Sequence, residues 1–276
     1  MNMISHKYHT KYPIVLIHGT GFRDRKYFNY WGRIPKVLTR NGCSIFYGHQ
    51  ESWAAIENNA IIIKNSIEKI IEETGAEKVN LIAHSKGGLE ARYVISSLNM
   101  SSKIASLTTI ATPHYGSKTM DYICKLPNVP FRLVSVFVNL WFRILGDKNP
   151  DFYKVCRQFT TYFAEKSNNE NPDVAGVYYQ SYAAVMKNSF SDMFMCITHF
   201  IINHVEGEND GLVTPKSAEW TNFRGVLKGS TNRGISHADE VDMRRMRLSR
   251  KKSPEGVNDI CDVYCDIVAQ LKSLGY

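Results

Sequence analysis

Short apolar runs alternate with amphipathic stretches along the first half of the chain. Residues 14–17, 79–83 and 104–111 are rich in Ile, Val and Leu, and each run ends abruptly in a polar or glycine-containing loop. Between the first two runs, apolar residues recur every three or four positions, which is the period of an α-helix with one buried face. They are Ile56, Ala60, Ile63, Ile67 and Ile71. Strands that alternate with helices predict a mostly parallel sheet with helices on both faces.

Four loops should meet at one edge of this sheet. They are residues 18–20, 84–86, 112–114 and 206–211, and the last of these follows an apolar run at 200–205 that we interpret as another strand. The carboxyl ends of parallel strands share one edge, where ligands bind in folds of this class. We therefore expect the four loops to form a common site.

One loop presents a serine between two small residues, in the pentapeptide Ala83-His84-Ser85-Lys86-Gly87. A serine hydroxyl attacks a carbonyl carbon only with a general base, a group that orients the base and donors for the oxyanion. A tight strand–turn–helix connection can expose such a serine, but it is crowded and requires small residues two positions to either side. A simple helix-capping role would explain Ser85 but not the small neighbours. Ser85 is therefore the candidate nucleophile.

The partners of such a serine follow it in the order acid, then histidine. His237 is the only histidine after Asp210, and it lies in a loop after the apolar pair 226–227. Asp210 follows the run at 200–205, whereas Asp173 and Asp192 are weaker candidates because neither follows a predicted strand. Asp210-Gly211 could also be an ordinary turn, and His237 could simply be exposed in its loop.

Two backbone amides are candidate oxyanion donors. One belongs to the residue after the serine, Lys86, and the other to the loop after the first strand, where Thr20 is the best candidate. The role of the Lys86 ammonium stays open.

Charge and cysteine content narrow the range of functions. The net charge is +8, and a basic run lies at 244–252, but no zinc-finger, basic-zipper or RNA-recognition motif accompanies it. We expect no nucleic-acid partner and interpret the run as a solvated face, although a basic surface would also favour anionic lipid headgroups. The six cysteines are scattered, which indicates free thiols. No signal peptide precedes the first strand, which favours a cytoplasmic protein, the alternative being secretion with the leader removed or by leaderless export.

The segment 130–146 is apolar almost all round and is interrupted by Arg132, Ser135, Asn139 and Arg143. It is too short and too often interrupted for a transmembrane helix. Two interpretations remain open: a buried core helix, or a lid helix that covers an acyl pocket and turns outward at a lipid surface. We expect a single domain over residues 1–276 with an inserted helical lid at about 117–181.

Six sequence blocks, in order and spacing, resemble the bacterial triacylglycerol lipases of the α/β-hydrolase fold, the Pseudomonas-type group and its clostridial relatives. The blocks are YPIVLIHGTGF, YWGRIP, VNLIAHSKGG, IATPHYGS, GENDGLV and ISHADEVD. The resemblance implies hydrolysis of acylglycerol esters through an acyl-enzyme, with a lid that opens at the lipid–water interface. It matches Ser85, Asp210 and His237 to the catalytic residues, and Thr20 and Lys86 to the oxyanion positions. We expect a monomer that needs no cofactor for its chemistry.

The resemblance also implies a structural calcium ion near the catalytic histidine. Asp239 matches one ligand and Asp192 could serve as another, but the remaining ligand positions hold Met243 and Arg247, which could offer only backbone carbonyls. Calcium takes six or more oxygen ligands, so this set is incomplete. Other activities on the same fold, namely a small-ester esterase, thioesterase or acyltransferase, remain alternatives, as does a non-catalytic lipid-binding protein.

Overall fold

A single parallel sheet organises the computed structural model, which describes residues 8–25, 29–250 and 253–276. Within these ranges the sheet has six strands in the order β2-β1-β3-β4-β5-β6, and every neighbouring pair is parallel. The predicted α/β-hydrolase class is therefore confirmed. Residues 251–252 of the basic run lie outside the described ranges. The strands are β1 (Ile14–Ile17), β2 (Ile45–Tyr47), β3 (Val79–His84), β4 (Ile104–Ile110), β5 (Tyr178–Ala184) and β6 (Phe223–Leu227).

Helices cover both faces of the sheet. One apolar cluster joins the sheet to α1 and α10 through side chains such as Trp31, Leu38 and Tyr264, and a second joins it to α2 and α3 through Ile63 and Val94. This two-sided burial explains why the central strands are apolar throughout rather than alternating. The helices are α1 (Ile34–Arg40), α2 (Ile56–Thr74), α3 (Lys86–Ile95), α4 (Lys118–Lys125), α5 (Asn128–Ile144), α6 (Phe152–Gln158), α7 (Thr161–Glu170), α8 (Cys196–Val205), α9 (Pro215–Ala218) and α10 (Ile260–Ser273).

The strand predicted at 200–205 is wrong, because these residues belong to helix α8. A short apolar run cannot be assigned to a strand or a helix by periodicity alone, and here the helix extends the run in the N-terminal direction to Cys196. The strand that precedes the Asp210 loop is instead β5. It begins at Tyr178, so the last residues of the expected insertion belong to the sheet.

The described helices do not include one that is both long enough and apolar enough to cross a membrane. No disulfide joins any of the six cysteines, all of which lie within the described ranges.

Two glycines allow α3 to start directly against the ends of β1 and β4. A Cβ atom on Gly87 would lie 2.5 Å from the backbone oxygens of both Ile17 and His18. One on Gly88 would lie 2.1 Å from Thr112 Oγ1. These approaches are shorter than any van der Waals contact, so the glycines set how close the helix comes to the strands.

We expect Gly87→Ala to lower the free energy of unfolding by about 2 kcal/mol, because the added methyl group meets backbone atoms that cannot rotate away. Urea denaturation of the two proteins measures this difference. An unchanged transition midpoint would mean that α3 can retreat from β1 at no cost, contrary to the packing described here.

Candidate active site

The turn between β3 and α3 holds Ser85 in an uncommon backbone conformation, with φ 55° and ψ −131°. Such a conformation strains a residue other than glycine and persists only where its surroundings enforce it. Here the Ser85 N–H donates to the Ile110 carbonyl at 2.9 Å, and the Ser85 carbonyl accepts from Thr112 Oγ1 at 2.9 Å and from the Gly88 N–H at 3.1 Å. The serine side chain is thus presented by a turn fixed on both sides.

The loop after β1 lies against this serine. A Cβ atom on Gly19 would fall 2.7 Å from Ser85 Cβ and 3.2 Å from Ser85 Oγ. The next residue, Thr20, lines the same cavity as Ser85. Lys86 is the first residue of α3, where backbone N–H groups have no intrahelical partner and the helix dipole is positive. Both candidate oxyanion donors therefore belong to segments that adjoin the serine.

Asp210 and His237 form a buried hydrogen-bonded pair. His237 Nδ1 lies 2.8 Å from Asp210 Oδ2, and the other carboxylate oxygen accepts from the N–H groups of Leu212 and Val213, each at 2.8 Å. The His237 N–H donates to the Asp210 carbonyl at 2.8 Å. Because a carboxylate only accepts, Nδ1 carries the proton of the neutral ring and Nε2 is left with a lone pair.

The serine and this pair are neighbours without a direct hydrogen bond. Within the described part of the chain, the Ser85 hydroxyl makes no hydrogen bond to the His237 ring. His84, which directly precedes the serine, connects them, since its ring centroid lies 4.4 Å from that of His237. Hydrogen bonds between catalytic groups are often long before substrate is bound, so this arrangement is compatible with a working triad.

Sequence reasoning missed a second carboxyl group beside His237. Glu240 is fully buried, and its Oε2 lies 2.8 Å from His84 Nε2 and 3.6 Å from His237 Nδ1. The Tyr30 hydroxyl is hydrogen-bonded to His84 Nδ1 at 2.7 Å. Burial and the neighbouring Asp210 carboxylate raise the pKa of Glu240 well above its usual range, and burial together with His237 holds the pKa of His84 well below its own. Both shifts favour the neutral forms of Glu240 and His84.

The Glu240 position has a faint signal in the sequence. It lies three residues after His237, about one helical turn, and the structure has a short 3-10 turn there, Asp239–Val241. The sequence alone does not show that this acid is buried. His84, His237 and Glu240 lie close enough to share a metal ion, but both nitrogens of His84, Nδ1 of His237 and Oε2 of Glu240 already lie within hydrogen-bond distance or close contact of protein groups.

The ammonium of Lys86 is also buried, and its role is now visible. Lys86 Nζ lies 2.8 Å from Glu90 Oε1 and donates to the Ala54 carbonyl at 2.7 Å, while Asn59 donates to the same glutamate oxygen at 2.7 Å. Burial raises the pKa of Glu90, and Lys86 opposes this effect. The pair lies within the first turns of α3 and ties the helix to the segment before α2.

The chain matches the family described as palmitoyl protein thioesterase over residues 13–245. Triacylglycerol lipase 2 of Saccharomyces cerevisiae is 32% identical over 271 residues, which cover 92% of this chain and 78% of that protein. A triacylglycerol lipase of Vibrio cholerae is 37% identical over 260 residues, which cover 84% of this chain and 80% of that protein.

The chain belongs to the α/β-hydrolase family of triacylglycerol lipases and palmitoyl protein thioesterases. Solved structures agree on the fold. A metagenomic carboxyl esterase superimposes with a TM-score of 0.71 at 14% identity, covering 96% of this chain and 76% of that one. The mature Bacillus licheniformis lipase superimposes with a TM-score of 0.63 at 20% identity, covering 85% of this chain and 88% of that one. The protein is a lipase or esterase type of hydrolase.

A cavity of about 270 Å³ opens beside Ser85 in this hydrolase. Its walls are almost entirely apolar and come from α4, α6, α8 and the loop after Asp210. The main side chains are Met120, Ile123, Phe152, Phe159, Ile202 and Val213. A mostly apolar cavity of this kind suits a hydrocarbon chain better than a polar headgroup.

The two aspartates that the family resemblance assigns to calcium do not fit that ion. Asp239 Oδ1 accepts from Arg244 Nε at 2.7 Å and from Arg244 Nη2 as well, so a cation already faces this carboxylate. Asp192 accepts from Ser236 Oγ at 2.7 Å and from the Phe194 N–H at 3.0 Å. Both aspartates are satisfied by protein donors.

The buried pair Lys86 and Glu90 makes a prediction about stability. Lys86→Met alone should lower the free energy of unfolding by about 4 kcal/mol, because it leaves the Glu90 carboxylate buried without a counter-charge. The double variant Lys86→Met/Glu90→Gln should recover most of that loss, since glutamine still accepts from Asn59 and carries no charge. Urea denaturation of both single variants and the double variant completes the cycle, and additive losses would contradict the coupling.

Proposed function

We propose that this protein is a lipase that hydrolyses carboxylic esters, acylglycerols foremost, through an acyl-enzyme on Ser85. The observation that carries the proposal is the buried His237–Asp210 pair next to a strained serine turn, at the mouth of an apolar cavity. A non-catalytic lipid-binding protein would have no need for that strain or for the ordered histidine.

In the proposed reaction, Ser85 Oγ bonds to the ester carbonyl carbon while its proton passes to His237 Nε2. The carbonyl oxygen becomes an oxyanion that the N–H groups of Thr20 and Lys86 stabilise. Asp210 stabilises the imidazolium through Nδ1–H. The ester C–O bond then breaks, and His237 gives its proton to the departing alcohol. Water repeats the sequence on the acyl-enzyme, which releases the fatty acid and restores Ser85.

Ser85→Ala should reduce turnover of a p-nitrophenyl ester by about 10⁵-fold or more, because the nucleophile is absent. Circular dichroism and the unfolding midpoint would show that the fold is intact. Labelling of the unaltered protein with a fluorophosphonate, followed by mapping of the modified peptide, provides an independent readout. Full turnover by pure Ser85→Ala protein would refute the assignment.

We further propose that α5 is a lid that meets the lipid surface. Its inward side packs on α6 and on Trp53, while its outward side is apolar and exposed, with Phe137 at 73% and Ile144 at 71%. The only charged residues in α5 are Arg132 and Arg143, and it has no acidic residue. An exposed apolar surface of this extent is typical of a contact with lipid or another apolar partner. A helix buried in the core would not leave these side chains exposed.

The lid proposal predicts that Phe137→Asp lowers the rate on emulsified tributyrin about tenfold, because a charged residue loses the free energy of inserting a phenyl ring into lipid. The rate on the same ester below its solubility limit should change little. Ile61→Asp is a matched control, since Ile61 is 52% exposed on α2, outside the lid. Equal effects of both variants on emulsified substrate would argue against the lid.

A thioesterase is the second candidate, favoured by the description of the matched family. The apolar cavity accepts an acyl chain from either kind of ester, and the serine chemistry differs only in the leaving group. The ratio of kcat/KM values for an acyl ester and the corresponding acyl thioester of equal chain length distinguishes the two. A preference for the thioester would replace the lipase assignment.

A further inference from the structure

Two segments on either side of α8 are joined next to His237. Asp192 precedes α8, and its Oδ2 accepts from Ser236 Oγ at 2.7 Å. Ser236 directly precedes His237, and its N–H donates to Asp239 Oδ2 at 3.3 Å while its hydroxyl accepts from the Asp239 N–H at 3.2 Å. Both aspartates and Ser236 are buried. The histidine is therefore flanked by a small polar cluster with two carboxylates.

Arg244 supplies the positive charge in this cluster. Its Nε and Nη2 both donate to Asp239 Oδ1, a charge-assisted contact that also fixes the orientation of the carboxylate. Arg244 follows the His237 loop along the chain. Its side chain is 30% exposed, while that of Asp239 is 5% exposed. A calcium ion at Asp239 would have to approach a carboxylate whose charge the guanidinium already balances.

We propose that Arg244 takes the place of a structural calcium ion, so that a guanidinium rather than a metal fixes the loop that carries His237. The inference rests on the proposed function in one respect, namely that His237 is the general base. Arg244 is a positioning residue. It donates hydrogen bonds to Asp239, which is hydrogen-bonded to Ser236, and Ser236 in turn donates to Asp192. These contacts fix the loop that carries His237. Arginine suits this task because its planar group can donate two hydrogen bonds to one carboxylate while remaining charged at any working pH.

The experiment compares the response to calcium of the unaltered protein, Arg244→Ala and a matched control, Arg250→Ala, which removes the same charge from an exposed position on the same segment. Thermal unfolding is recorded in EDTA and in millimolar CaCl₂, and kcat and KM are measured on a soluble ester under both conditions. Thermal unfolding needs no substrate, so it reports on the cluster even if Ser85 proves not to be the nucleophile.

For the unaltered protein and Arg250→Ala, we expect Tm in CaCl₂ and Tm in EDTA to differ by less than about 1 °C, since neither protein offers calcium an open site. Arg244→Ala removes the guanidinium that faces the buried Asp239 carboxylate, so calcium should raise its Tm by about 3 °C or more. In EDTA its kcat should fall about tenfold with KM nearly unchanged, because a displaced base affects the chemical step. The calcium response and the kcat of Arg244→Lys, which keeps the charge, should lie between those of the unaltered protein and those of Arg244→Ala. Arg244→Lys replaces the alanine variant in the experiment if the alanine variant does not fold.

Three results would overturn the proposal. A calcium-dependent Tm in the unaltered protein would show that a metal binds despite Arg244. If calcium leaves the Tm of Arg244→Ala unchanged, Arg244 does not take the place of a cation. A kcat of Arg244→Ala equal to that of Arg250→Ala would show that the contact between Arg244 and Asp239 does not position His237. If instead the calcium responses are as expected but Ser85→Ala retains full turnover, only the catalytic assignment fails.

Discussion

The close approach of three chain segments at the Ser85 turn is the constraint on which the rest of the site depends. The loop after β1, the turn after β3 and the start of α3 meet with no room for a Cβ atom at Gly19, Gly87 or Gly88. This contact brings the Thr20 segment and the first residues of α3 next to the serine. The strain at Ser85 is held by hydrogen bonds from β4 and the loop after it, so the turn is part of the sheet rather than a flexible loop.

Several polar and charged side chains are buried around this turn, which would be costly in an apolar core without hydrogen-bond partners. Lys86, Glu90, His84 and Glu240 are all fully buried. Each has a hydrogen-bonded partner, which offsets much of the cost of removing it from water. The protonation states then follow from burial. Burial favours the neutral forms of Glu240 and His84, which limits the negative charge close to His237.

The sequence predicted the parts of the site that depend on order and local chemistry. Small residues around Ser85 indicated the strained turn, and counting histidines left His237 with Asp210, which the structure joins by a hydrogen bond. The reason given for Asp210 was wrong in one respect, because α8 and not a strand precedes it. Its loop nevertheless runs beside the end of β5, where the Met186 N–H donates to the Asn209 carbonyl at 2.9 Å. Glu240, Arg244 and the ammonium of Lys86 could not be assigned from the sequence, because their roles come from contacts between distant segments or from burial, neither of which leaves a periodic pattern.

The two halves of the site come from different parts of the fold, and this separation bears on substrate choice. The candidate catalytic groups lie at the edge of the sheet, where β-strand geometry and glycine packing leave little freedom. The walls of the cavity come mostly from α4, α6 and α8, whose residues lie outside the two large apolar clusters that join helices to the sheet. Apolar side chains such as Phe137 of α5 and Phe200 of α8 are exposed. Changes in these helices can alter the acyl chain or headgroup that fits without moving Ser85 or His237. Such a division fits a family whose members are described both as triacylglycerol lipases and as palmitoyl protein thioesterases, because one fold can carry different sites.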